Sequence, residues 1–577
     1  MGILCYNGCM DSATRRGGVF LTPLHFAEKA HEYLESTLGK DWYQSGDYRL
    51  WDMAAGTGHL EHFLPKDALK YCYLSTLEQK DVEHLRQKFP SATVFQYNYL
   101  DDDVAELFKK SGGHFRMSGG RKPPGFGRFG SDSPGGLRPP LMRDDLANPK
   151  IKWLILVNPP YATAQEAGLK GASKSGVSDT KIRKQMHANG LGEVSRELYV
   201  QFLYRIMHEF QHRETLLGLF SPLKYLISTN YQKFRDNVFH AAFQSGFVFS
   251  SDNFGGTSKT SHFPVAFILW EMSAAVCRLP SAVSLDILDT TAQKIGTKTV
   301  KPENRNDFLS RWIKRPRATV IFPPFGSALT IKSGNVDTRN RIAEDFLASL
   351  MCPGNELQNQ QQTAFLSGPQ ASAGALSVTP ENFEQAVLVF AARRVPKDTW
   401  LNHVDQLLRP NRKLSPQFVS NCAVWSLFDN KNQTVALRNV EYQNRVYQIV
   451  NHFFPFPFAE VQNWSNNTEI NLCVPLRLNT TAKNSFVADW LAKQKLSIEA
   501  QAVLTITREI YRLFVTNWDV LPRAEFGIET YDAGWYQIRQ TLLTAKLGAD
   551  LLADLKHRHD QLRETILPQL YDYGILR

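Results

Sequence analysis

The chain has 577 residues, 43% of them hydrophobic and 21% charged, with a net charge of +10. That balance excludes a chain too polar to build a core, and the length allows roughly two to four domains. No apolar run approaches the roughly 20 residues that span a bilayer, and the basic excess suits a polyanionic partner such as nucleic acid.

The seven cysteines are odd in number and scattered. Only Cys5 and Cys9 lie close together, and they lack the second ligand pair that a zinc site needs. No metal is expected. The N-terminal stretch MGILCYNGCMDSATRRGG has too short an apolar part for a secretory signal. A reduced cytoplasmic chain is the expectation.

Residues 24–38 read as an amphipathic helix that stops at Gly39. Tyr48–Ala54 reads as a strand, followed by a turn over Gly56–Gly58. Lys70–Leu77 is a second strand, and the helical stretch QKDVEHLRQKF comes next. Ala92–Tyr97 and Ile151–Val157 are the third and fourth strands. Ser195–Phe210 reads as a helix and Glu214–Phe220 as a fifth strand. Residues 231–244 read as helical, and Gly246–Ser250 and Val265–Glu271 are the last two strands. This alternation predicts an α/β fold: a doubly wound, mostly parallel, seven-stranded Rossmann-like sheet over residues 1–285.

A Gly-, Pro- and Arg-rich insertion, about residues 111–145, interrupts the alternation. Two readings stand. One is a flexible surface loop. The other is a basic flap that orders on nucleic acid, with Arg116, Arg121, Lys122 and Arg128 on phosphates and Phe126 or Phe129 stacking. From about 286 to 577 the pattern becomes mixed α+β, with a helix-rich end (498–517 and 533–570). HFFPFPF (452–458) reads as a buried, proline-stiffened loop.

The chemistry gathers at strand ends. Asp52 closes the first strand, and the small residues Ala54, Ala55, Gly56 and Gly58 let a ligand approach the backbone. A dinucleotide turn would carry a third glycine where Glu61 stands, and that carboxylate would repel a pyrophosphate. Glu78, at the end of the second strand, is placed to hold a pair of ribose hydroxyls. Asn98 could read an adenine edge, with Tyr99 or Leu100 packed on the ring. The fourth strand runs through WLILV into Asn158-Pro159-Pro160-Tyr161. Two prolines there make the backbone stiff and aimed.

This set resembles the S-adenosylmethionine-dependent methyltransferases, and Asn-Pro-Pro-Tyr resembles the signature of those that methylate a planar exocyclic or amide nitrogen. RRGGVFLTPLHFAEKAHEYL is similar to the cofactor-capping motif of amino-type DNA methyltransferases of the gamma arrangement, which implies cofactor contacts for Thr22 and Pro23. FGGTSKTSHFPVAFILWE resembles the late strand of DNA adenine methyltransferases. The resemblance covers about residues 15–272. Two departures stand out: the family often has an acid where this chain has Asn98, and Phe-Leu-Thr-Pro leaves the register of Phe20 open.

The resemblance implies S-adenosylmethionine as cofactor and transfer to N6 of an adenine flipped out of a specific double-stranded DNA sequence. It implies a role in restriction-modification or in phage or host epigenetic marking. Asn158 and the Pro159 carbonyl would accept the amino hydrogens. Tyr161 would stack on the base, and Phe254, or else Phe263, would cover its other face. Lys170, Lys174, Lys181, Arg183 and Lys184 follow the catalytic loop and suit the DNA backbone. Residues 286–577 would serve target recognition. A separate restriction endonuclease is a compatible partner, and a fused nuclease finds little support. The alternatives are an RNA base methyltransferase, a protein glutamine methyltransferase and a catalytically silent DNA-binding module.

Overall fold

The structure is a computed structural model. It describes residues 21–104, 138–162, 180–254, 262–272, 280–317, 325, 328–329, 343, 345–370, 374–464 and 484–577. The chain divides into two compact units, 1–303 with 399–401, and 304–398 with 402–577. No helix among the described residues is long and apolar enough to cross a membrane.

The first unit is built on one sheet. Its strands are β1 (Tyr48–Asp52), β2 (Cys72–Thr76), β3 (Thr93–Gln96), β4 (Lys152–Val157), β5 (Thr215–Pro222), β6 (Ala242–Ser250), β7 (Pro264–Met272), β8 (Val283–Leu288) and β9 (Lys294–Val300). The order is β3-β2-β1-β4-β5-β7-β6-β8-β9. Strands β3 to β5 in this order pair in parallel, β7 runs antiparallel to both β5 and β6, and β9 runs antiparallel to β8. Continuous apolar runs such as WLILV in β4 are buried throughout, as strands covered on both faces require.

The expectation of seven strands is corrected to nine among the described residues. The two extra strands, β8 and β9, follow the seven that were expected. β9, KIGTKTV, is mostly exposed and lies at the sheet edge, where lysines discourage further pairing. The expected boundary at 285 falls inside β8, and the units divide at 303/304.

Helix α1 (Leu24–Leu38) buries Phe26, Ala27, Ala30, His31 and Leu34. It ends where Gly39 takes a positive φ of 85°. Helix α2 (Gln79–Lys88) follows β2, and α3 (Pro140–Ala147) precedes β4. The C-terminal part of the expected 111–145 insertion is therefore helical, while 111–137 lie outside the described residues. Helices α4 (Lys181–Ala188) and α5 (Leu198–Phe210) lead into β5. The expected helix over 231–244 shrinks to Gln232–Asn237, because from Ala242 the chain pairs with β7.

The second unit holds a four-stranded sheet, a two-stranded ribbon (Leu437–Tyr442 with Arg445–Ile449) and several helices. Long helices run over Ile498–Thr516 and Ala549–Asp572, with Trp535–Thr544 between them. Within the expected helix-rich stretch 533–570, two helices part before Gly548, which takes a φ of 68°. Phe453, Phe454 and Phe456 are buried in the core, so HFFPFPF packs inward.

Candidate active site

The parallel strands reverse their order between β1 and β4. Open sheets of this kind leave a crevice outside the carboxyl ends at that point. Trp51 of β1 pairs with Ile155 of β4, so Asp52 and the Asn158 loop leave neighbouring strands on the same edge of the sheet.

The turn after β1 is tightly built. The Asp52 side chain accepts from the Ala54 N–H at 2.7 Å, and the Ala55 N–H donates to the Ser75 carbonyl of β2 at 3.0 Å. Gly56 and Gly58 have φ of 52° and 72°. A Cβ on Gly58 would sit 2.4 Å from Phe89 and 2.8 Å from Leu85, so only glycine lets this turn lie against the end of α2. Above Gly56 a Cβ would meet nothing closer than the Ala54 carbonyl at 3.9 Å. The Lys88 ammonium donates to the Thr57 and Gly58 carbonyls at 3.1 and 2.9 Å.

Glu61, one turn further on, is 1% exposed, as is Asp52. The Glu61 carboxyl lies against that of Asp52. Burial, with the charge of Glu61 added, pushes the Asp52 carboxyl well above the usual range. Burial pushes Glu61 up to about 7. Two buried carboxyls side by side suit a cationic neighbour and repel a phosphate. Together with the open backbone at Gly56, they leave room for a ligand without phosphates.

Glu78 is exposed at the start of α2. Beside it Leu77 is 58% exposed, an apolar side chain at the carboxyl end of β2 that the sequence reading passed over. The sequence carries a signal for it: the strand's apolar pattern runs one residue past the last paired position.

Asn98 is half-buried, and its amide is engaged locally. Its oxygen accepts from the Leu100 N–H at 3.1 Å, and its nitrogen donates to Asp101 at 3.0 Å. Tyr99 is buried among Trp51, Phe202 and Tyr97, with its hydroxyl on Glu209 at 3.0 Å. Its ring is thus part of the core, and Leu100 is buried as well.

Sequence reasoning also missed the network behind this loop. Arg205 of α5, fully buried, donates to the Tyr99 and Asp102 carbonyls and to the Tyr97 hydroxyl. Glu209 accepts from both Arg205 and Arg138. Arg138 lies over Trp51, with 5.2 Å from guanidinium carbon to ring centroid. Burial would raise the Glu209 carboxyl, but the two guanidiniums hold it below the usual range. The i, i+4 spacing of Arg205 and Glu209 was the available signal.

The fourth-strand loop lies beside the N-terminal cap of α1. Asn158 Nδ2 donates to the Thr22 hydroxyl at 2.8 Å, and the Tyr161 hydroxyl donates to Asn158 Oδ1 at 2.7 Å. Pro23 takes the extended cap position of α1, with φ −61° and ψ 138°. The Thr22 carbonyl is hydrogen-bonded to His59 Nδ1 at 2.7 Å. Tyr161 and Phe254 are both buried, with ring centroids 6.2 Å apart and planes at 79°. Phe263 is half-buried, and its backbone pairs with Ser251.

Lys181 and Lys184 are exposed at the start of α4, and Arg183 is half-buried. The Lys181 N–H donates to the Asp101 side chain and its ammonium to the Asp101 carbonyl, at 2.7 and 2.9 Å. Lys170 and Lys174, and the flap residues Arg116, Arg121, Lys122, Phe126, Arg128 and Phe129, lie outside the described residues.

No family model and no curated protein matches the chain. Among solved structures, it is similar to the DrdV–DNA complex at 14% identity and a TM-score of 0.33, over 60% of this chain and 36% of that one. It is similar to the type IIG restriction endonuclease BpuSI at 14% identity and a TM-score of 0.32, over 97% and 68% of the two chains. It is similar to the type IIL restriction-modification enzyme MmeI in complex with DNA at 9% identity and a TM-score of 0.30, over 97% and 77%. The chain thus spans about a third of the DrdV chain. Similarity at this level assigns no activity to it.

Proposed function

We propose that this chain transfers a methyl group from S-adenosylmethionine to the N6 amino group of an adenine flipped out of double-stranded DNA. One observation carries the reading. The glycine turn with its buried carboxyls and the Asn-Pro-Pro-Tyr loop leave adjacent parallel strands, β1 and β4, at the point where strand order reverses.

S-adenosylmethionine, when bound, supplies an electrophilic sulfonium methyl. Asp52, the Ala54–Gly58 turn, Glu78 and Leu77 are the residues that would hold it. The buried carboxyls suit its cationic amino-acid end. Glu78 suits ribose hydroxyls, and Leu77 offers an apolar surface to the adenine ring.

An adenine amino nitrogen is a weak nucleophile because its lone pair is delocalised into the ring. Asn158 Oδ1 accepts one N–H and the Pro159 carbonyl accepts the other. Two fixed acceptors localise the lone pair and stabilise the positive charge that grows on nitrogen. Stiffness matters, since misplacement by about 1 Å can cost about a hundredfold in rate. Pro159 and Pro160 supply it. Tyr161 and Phe254 supply aromatic surface to an extruded base. Each stacked face returns roughly 1–3 kcal/mol against a flipping cost of a few kcal/mol. Lys181, Arg183 and Lys184 suit phosphates beside the loop, and the second unit suits target recognition. Restriction-modification, with a separate endonuclease, is the setting this activity fits.

The test is to incubate the protein with radiolabelled S-adenosylmethionine and separate duplex DNA, RNA and protein. Label recovered as N6-methyladenine in DNA, and lost in Asn158→Ala, is expected. Label in RNA or on protein glutamine would move the substrate class. No label, with no cofactor bound, would point to the silent module.

A further inference from the structure

Thr22 and Asn158 stand 136 positions apart, yet their side chains meet at 2.8 Å. Each directly precedes a proline. A following proline excludes most helical backbone, so both residues sit on stiff, extended segments. Thr22 is 3% exposed and Asn158 is half-buried.

An asparagine amide has two opposite ends. Only its oxygen can accept an amino hydrogen, and its NH₂ group would repel one. With Nδ2 donating to the Thr22 hydroxyl on one side, Oδ1 points to the other. Here Oδ1 faces the Tyr161 hydroxyl, which shows that a donor can reach it. On its other side Thr22 is tied through its carbonyl to His59, the residue after Gly58. Burial lowers the His59 imidazole, which favours the neutral ring. A chain of contacts thus runs from the glycine turn through Thr22 to the Asn158 amide.

We infer that Thr22 is a positioning residue that orients the Asn158 amide for methyl transfer, not a cofactor contact. This rests on the proposed methyl transfer.

The two roles predict opposite kinetics. Thr22→Val removes the hydroxyl at nearly constant shape, and Thr22→Ser keeps it. If Thr22 positions Asn158, Thr22→Val lowers kcat about 10- to 100-fold at saturating cofactor. Cofactor Kd stays within about threefold, and Thr22→Ser restores most of the rate. If Thr22→Val instead raises the cofactor Kd and transfers normally at saturation, the inference falls.

A second readout is independent of turnover. In protein labelled with 15N-asparagine, the Asn158 side-chain amide signal is identified by its loss in Asn158→Ala. It should shift and exchange faster with water in Thr22→Val, and stay in place in Thr22→Ser. An unchanged signal in Thr22→Val overturns the inference even if DNA methylation is confirmed. A shifted signal in a chain that methylates nothing overturns the proposed function, and the catalytic role of Thr22 with it.

Discussion

The Tyr161 hydroxyl donates to Asn158 Oδ1 at 2.7 Å, so the acceptor assigned to a target amino group already faces a donor. The same ring meets Phe254 edge to face, not as one wall of a parallel slot. Under the proposed function, a target base would displace that hydroxyl and turn the ring.

Tyr161→Phe keeps the ring and removes the competing donor. Its kcat/KM for DNA should stay within about tenfold of wild type. Tyr161→Ala loses a stacked face worth about 1–3 kcal/mol, or about 5- to 150-fold. Labelled methyl transfer measures both. If Phe is as damaging as Ala, the hydroxyl itself serves the reaction.

The buried pair Asp52 and Glu61 gives stability a pH slope of known sign. Glu61 is raised to about 7 by burial, so the folded chain binds its proton more tightly than the unfolded chain does. Stability is then lost as pH rises from the unfolded value, near 4.5, through about 7. Glu61→Gln removes the charge that must otherwise be buried. It should stabilise the protein by about 1–3 kcal/mol at pH 8 and change little at pH 5. Thermal melts across that range check it, and equal shifts at both ends would count against the assignment.

Glu209 behaves in the opposite sense. Arg138 and Arg205 hold its carboxyl down, so the stability it contributes is present at neutral pH and is lost as pH falls through the lowered value. Glu209→Gln leaves two buried guanidiniums short of their counter-charge. A loss of about 3–5 kcal/mol is expected, read from urea unfolding at pH 7. Because Arg205 also holds the Tyr99 and Asp102 carbonyls, the loop bearing Asn98 should loosen in the same variant. Hydrogen exchange over residues 97–104 would report that.

Leu77 separates cofactor binding from folding. It is 58% exposed, so Leu77→Ser should change stability by less than about 0.5 kcal/mol. If an adenine ring packs on it, cofactor affinity should fall about 5- to 10-fold, in keeping with roughly 1–1.5 kcal/mol of lost apolar contact. Calorimetric titration with S-adenosylmethionine measures this. Unchanged affinity would remove Leu77 from the site.

Much of this architecture can be read from residue order alone. WDMAAGTG and WLILVNPPY each mark an apolar strand that ends in residues with special backbone demands, and those demands are local. The same holds for α1, which stops at Gly39, and for the buried HFFPFPF loop. What the sequence determined by itself was the strand ends and the kinds of chemistry carried on them. Tertiary structure alone decided which of those residues meet. Thr22 reaches Asn158, and Glu61 comes beside Asp52. Tyr99 turns into the core, and β8 and β9 extend the sheet. The physical reason is that such contacts depend on the lateral order of strands and on the route of the chain between them. Neither leaves a periodicity in the sequence, because a hydrogen bond between distant segments constrains two side chains and none of their neighbours.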